Sequence, residues 1–112
     1  MKKLTLSLIV FSILVSVAIT TKADVTVFGN RTCGVWIDER KEARWPSITD
    51  VSWLAGYISG LADYSEKDFL KNTDLASLAN WVDNYCKNNP LDTVAVGANK
   101  LAIELIKREH LK

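Results

Sequence analysis

Between Ile48 and Tyr64 the chain reads ITDVSWLAGYISGLADY, and its apolar positions recur at helical spacing. Val51, Leu54, Ile58, Leu61 and Ala62 fall on one face, while Trp53, Tyr57 and Tyr64 occupy an adjoining face beside Gly56 and Gly60. Ser52, Ser59 and Asp63 leave only a narrow polar strip. A helix apolar around most of its circumference is normally the buried centre of a domain or a membrane span. Bounded by Ser47 and Asp63, this one is expected at the centre of a domain with the other helices wrapped around it. Two glycines four apart would allow a neighbouring helix to approach closely, as small residues do elsewhere.

The flanking pattern supplies the other helices. Asp24 to Asn30 alternates weakly through Val25 and Val27 and ends at a Gly29-Asn30 turn signal, so an extended arm is expected. Thr32 can cap a helix from Cys33 to about Glu42, with Cys33, Trp36, Ile37 and the stem of Arg40 facing inward. Trp45-Pro46 should then break the chain, because a residue before proline avoids the α region, and Ser47 or Thr49 should cap the long helix. Ser65-Glu66-Lys67-Asp68 resembles a capping box, one that would open a single turn and tuck in Phe69 and Leu70. Thr73 is expected to cap a third helix from Asp74 to about Lys87, with Leu75, Leu78, Ala79, Val82, Tyr85 and Cys86 on its stripe. Asn89-Pro90 suits the start of a fourth helix, continuing to about Arg108. Its stripe would be Leu91, Val94, Ala95, Ala98, Leu101, Ala102 and Leu105, with Glu104 and Arg108 as a favourable i,i+4 pair. The pattern predicts an all-α domain of four to five helices.

The first residues change the picture of where the domain works. Lys2 and Lys3 precede an apolar run from Leu4 to Ile19, followed by Thr20, Thr21, Lys22 and Ala23. These are the marks of a secretory signal peptide, cleaved after Ala23, and the expected compartment is the periplasm or the exterior. The run is shorter than the roughly 20 residues a spanning helix needs, so no stable membrane span is expected after cleavage. The division is then 1–23 for the signal peptide and 24–112 for a single helical domain. That mature domain has 89 residues, the 112 less the first 23. It carries 11 basic residues, the 14 less Lys2, Lys3 and Lys22, against 13 acidic ones, and no basic patch of the kind nucleic acid requires.

Cys33 and Cys86 are the only cysteines, and an even count in an exported chain suggests a disulfide. It would join the start of the first helix to the end of the third and stabilise by about 4 kcal/mol in the chain-entropy picture. A reactive thiol pair is the competing reading, but there is no C-x-x-C and no histidine near either cysteine.

Candidate chemistry is sparse. The single histidine, His110, lies in the last three residues, so no histidine triad or general base can be assembled. Gly56 to Gly60 has G-x-x-S-G spacing within a helix rather than a nucleophile elbow at a strand-to-helix turn. No acidic group has calcium-loop spacing and no Cys/His set has zinc spacing. No catalytic, cofactor or metal site is therefore expected. Asp38, Glu39 and Glu42 alternate with Arg40, Lys41 and Arg44, as on a solvated face. Four tryptophans are more informative. Trp36 and Trp53 have core-compatible positions, whereas Trp45 and Trp81 either cover the ends of the core or mark a partner-binding surface, where tryptophan is enriched. Val96 and Ile103, seven apart on the far face of the last helix, form a second candidate patch.

Thr32-Cys33 with Trp36-Ile37, then Trp53-Leu54-Ala55-Gly56-Tyr57, then Tyr85-Cys86-Lys87-Asn88-Asn89-Pro90 resembles the HdeA/HdeB family of small periplasmic proteins. The likeness runs from about Thr32 to Ala98. It implies an all-helical fold stapled by one disulfide between Cys33 and Cys86, and a role as an acid-stress chaperone for unfolding periplasmic clients. The stretch Gly56 to Asp63 and the Asn89-Pro90 opening are also similar to the Tai/Rap group of periplasmic immunity proteins, small helical inhibitors of cell-wall-degrading effectors. In that group the cysteines fall elsewhere. The expected partner is thus an unfolded client or one folded protein, and a homodimer is compatible with either. In acid, with carboxylates protonated, 11 Lys and Arg, His110 and the new amino terminus bring the charge near +13, which favours loosening.

Overall fold

Four helices form among the residues 25–42 and 45–110 that the computed structural model describes. They are α1 (Cys33–Arg40), α2 (Trp45–Ser65), α3 (Leu75–Asn88) and α4 (Val94–His110). The expected signal peptide over 1–23 lies outside the described residues. The all-α expectation holds, and Cys33 and Cys86 are bonded across 53 residues, tying the first turn of α1 to the last of α3.

Why these segments are helical differs from one to the next. Thr32 caps α1 as expected, its Oγ1 accepting from Val35 N at 3.3 Å. The Trp45-Pro46 pair does not break the chain before α2. Pro46 stands in the first turn, where no N–H is needed and a fixed φ is already helical. Ser47 is consequently no cap but a buried acceptor for Arg40 Nη1 at 3.3 Å, and Thr49 lies inside the helix. Asp74, not Thr73, caps α3, its carboxylate accepting from Ser77 N and Ser77 Oγ, each at 2.8 Å.

The start of α4 moves furthest from expectation. Asn89 closes α3 instead, donating from Nδ2 to Tyr85 O at 2.9 Å, and Leu91 is 98% exposed. The first amides of α4 find partners far away in the chain: Val94 N donates to Arg31 O at 2.9 Å and Ala95 N to Asn30 Oδ1 at 3.0 Å. Val96 N and Gly97 N donate to Oγ1 and O of Thr93. In return Cys33 N, at the start of α1, donates to Asp92 O at 2.8 Å. The linkers before α1 and α4 thus cap each other's helices through an isolated antiparallel bridge at Thr32 and Thr93.

Between α2 and α3 the expected helical turn is replaced by irregular turns, yet Phe69 is buried as anticipated and Leu70 is half-buried. The end of α2 is a Schellman closure, with Lys67 N donating to Ala62 O and Glu66 N to Asp63 O. Glu66 occupies the left-handed position, at φ 55°, where glycine is usual.

The core is shared rather than centred on α2. Cys33, Trp36, Leu54, Ile58, Val82, Cys86, Val94 and Ala98 are all inaccessible to solvent. Leu54 and Ile58 are the fully buried apolar residues of α2; Ile48 and Tyr64 face solvent and Val51, Leu61 and Ala62 are half-buried. The long helix is therefore one wall and not the axis, because α3 and α4 pack against each other as well as against it. Gly56 and Gly60 receive no neighbouring helix: a Cβ on either would meet nothing within 4 Å. Close approach occurs at Gly97, where a Cβ would stand 2.8 Å from the Tyr85 ring.

Candidate interaction surface

Trp53 organises a groove on the surface. Its ring lies over Gly29, whose φ of 73° and missing Cβ permit the approach, and its Nε1 donates to Phe28 O at 2.8 Å. This clamp lays the extended arm against α2. Trp53 also stacks on Tyr57, with centroids 4.9 Å apart and 15° between planes. Tyr57 reaches across to α4, its hydroxyl donating to Asn99 Oδ1 at 3.1 Å. Together with the Asn30 cap on Ala95, these contacts fix three segments around one groove of about 1140 Å³.

Val25, Val27 and Asn30 of the arm, Tyr57, Leu61 and Tyr64 of α2, Thr93, and Ala95, Val96 and Asn99 of α4 line it. No charged side chain is among them. Val25 is 71% and Tyr64 89% exposed, so the rim presents large apolar area to solvent. Of the residues singled out in the sequence, Val96 is in the groove lining; Ile103 is exposed two turns further along α4.

The two tryptophans go elsewhere. Trp45 is 79% exposed at the first position of α2, with Ile48 exposed one turn on. Trp81 is half-buried between α3 and α4, its Nε1 donating to Glu104 at 3.2 Å and its ring stacked on Tyr85. Tyr85 is itself fixed by a short bond from its hydroxyl to Asp92, and burial and that bond raise its pKa. Trp45, Trp81 and Val96 thus stand on three different helices and do not converge.

Sequence reading missed two polar constellations. Asp83 of α3 receives Trp36 Nε1 at 2.7 Å and a two-pronged contact from Arg40, Nε and Nη2 each at 3.0 Å. Hydrogen bonding to Asp83 raises the Arg40 pKa further. Arg40 therefore bridges α1 to α3 instead of standing on a solvated face. The second group is Arg31, Glu39 and Asp50, where Asp50 is 2% exposed and Arg31 Nε donates to its Oδ1 at 3.1 Å. Asp38 and Lys41, by contrast, lie on the solvated face anticipated and pair there at 2.9 Å. The signal for Asp50 was present: it continues the Leu54–Ile58 stripe one turn back. Among the described residues no three His, Cys, Asp or Glu side chains group to hold a metal ion, and no helix is long and apolar enough to cross a membrane. Compared with known families, with curated proteins and with solved structures, the chain matches none of them.

Proposed function

We propose that this chain is an exported, non-enzymatic protein-binding protein that engages a folded partner through the groove between its arm, α2 and α4. The observation that carries this reading is the groove itself. Its apolar lining comes from three segments held by internal hydrogen bonds, so the surface exists before any partner arrives and little ordering cost remains at binding. An uncharged centre with the exposed aromatic Tyr64 at its rim suits a protein surface better than a small charged metabolite. Trp45, Ile48 and Ile103 are further exposed anchors, while the indole N–H of Trp81 is already engaged within the chain. A periplasmic immunity or inhibitor role, suggested by the second resemblance, is the specific form of this reading.

The acid-chaperone reading, from the HdeA-like resemblance, is favoured by one observation. The Asp74 cap on α3 depends on ionisation, since bonds from Ser77 N and Oγ hold its pKa below the usual value. Its stabilising effect is present above the unfolded pKa and is lost as pH falls through the folded one. The two readings separate in one experiment on the oxidised mature protein, using tryptophan fluorescence, apolar-dye binding and suppression of client aggregation. A chaperone loosens reversibly and suppresses aggregation only at about pH 3, below the ordinary carboxylate range. A groove binder stays inactive toward unfolded clients and captures a folded partner near neutrality. That capture should weaken on Val96→Asp with the helix content unchanged; undiminished capture would remove the groove from the interaction.

A further inference from the structure

The arm that walls the groove carries main-chain groups without partners. Val25 and Val27 line the groove while Thr26 between them does not, which is the alternation of an extended segment. Among the described residues, no hydrogen bond forms to or from the main chain of Val25, Thr26 or Val27. The arm is first held at Phe28, whose carbonyl accepts from Trp53 Nε1 at 2.8 Å. Asn30 and Arg31 then pin it to the start of α4. It is thus fixed at one end and leaves an open edge. Val-Thr-Val favours a strand. Charged residues and proline, which blunt exposed edges in other proteins, are absent from residues 25–30.

We infer that the arm is an edge strand that receives an extended segment of the protein partner, one with apolar side chains at alternate positions. This rests on the groove reading and names the form of what the groove takes. A helix laid there would leave the N–H and C=O groups of the arm to water. A strand pairs with them and sets every second side chain over Tyr57, Leu61 and Val96. No charged side chain lines the groove, so the partner residues that face it are uncharged. Those on the opposite face, level with the exposed Thr26, stay in solvent and are polar. Because Phe28, Asn30 and Arg31 already tie the arm down, pairing costs little further ordering.

The test removes one N–H at a time without touching a side chain. A synthetic 24–32 segment, ligated to 33–112 at Cys33, carries an ester in place of the amide of Thr26 or of Val27, and the chain is then oxidised. Neither N–H has a partner among the described residues, so both variants should keep the wild-type helix content. The probe is an acetylated, amidated six-residue peptide of alternating valine and threonine, with affinity measured by calorimetry. Successive N–H groups of an extended chain point to opposite edges. One ester should therefore weaken binding by about three- to tenfold, the worth of one hydrogen bond, and the other should leave it unchanged. Equal effects from the two esters, or no binding at millimolar peptide, would overturn the strand. The groove itself survives that result if Val96→Asp still weakens capture of a folded partner, and falls with it if Val96→Asp does nothing. Dimerisation of the chain alone, relieved by the same ester, would overturn the assignment to a partner and make the occupant a second copy.

Discussion

Glycine and its absence give opposite outcomes at three positions of this chain. At Gly97 a Cβ would lie 2.8 Å from Cδ1 of Tyr85, a ring that cannot step aside because Asp92, Trp81 and Lys100 hold it on different sides. Gly97→Ala should therefore destabilise, overpacking of about 1–3 kcal/mol exceeding the roughly 1 kcal/mol gained in helix propensity. Gly56→Ala, with open space around it, should stabilise by about that 1 kcal/mol. At Glu66 the residue stands where glycine belongs. Removing its side chain from the left-handed region should gain about 1–2 kcal/mol, less the roughly 0.5–1 kcal/mol of added unfolded-chain freedom, so Glu66→Gly should be modestly stabilising. Urea unfolding of the three variants checks all of these, and a stabilising Gly97→Ala would show the α3–α4 approach to be looser than drawn.

Helix starts are the most informative feature at the scale of elements. The first turn of α4 depends on Asn30 and Arg31, which lie more than sixty residues before it, and that of α1 on Asp92. Asn30→Ala should cost about 1 kcal/mol, the usual worth of a capping side chain, and hydrogen exchange should quicken at Ala95 as well as at the arm. Trp53→Phe keeps an aromatic ring over Gly29 but removes the donor to Phe28 O, so it should release residues 25–30 to proteolysis while α2 stays folded. Protection of the arm in that variant would show that stacking alone holds it. For α3, Asp74→Asn retains a capping oxygen without the charge, and its stability should vary less than the wild type's as pH falls through the lowered pKa of Asp74.

The whole molecule rests on one covalent and one ionic tie between the same pair of helices. Cys33–Cys86 and the Trp36–Asp83–Arg40 group both join α1 to α3, the disulfide near one end of α1 and the ion pair near the other. Reducing the disulfide frees a loop of 53 residues in the unfolded chain, and about 4 kcal/mol of stability should be lost. Urea unfolding with and without reductant measures this directly. A domain of this size has little stability to spare, so the reduced chain should be close to its unfolding midpoint. The groove would go with it, since its α4 wall is capped by residues that lead directly into α1.

Much of this was legible in order along the chain. Helical spacing placed the body of every helix, Thr32 was visible as a cap, and an even count of two cysteines pointed to the bridge. These are short-range patterns or small counts, in which neighbours in sequence decide the outcome. Three features were decided only by tertiary structure. Val94 became the start of α4 because its amide partners come from the arm, which no local pattern at Asn89-Pro90 reports. The helical stripe through Leu54 and Ile58 placed Asp50 on the inner face, but its charge partner Arg31 comes from another element, nineteen residues away. Val96, Tyr57 and Val25 became one groove because the Trp53 indole N–H ties the arm to α2 while Tyr57 and Asn30 tie α2 and the arm to α4. A helix's periodicity follows from the 3.6-residue repeat of its own backbone, but which side chains finally satisfy its ends and cover its faces depends on residues brought close only by folding.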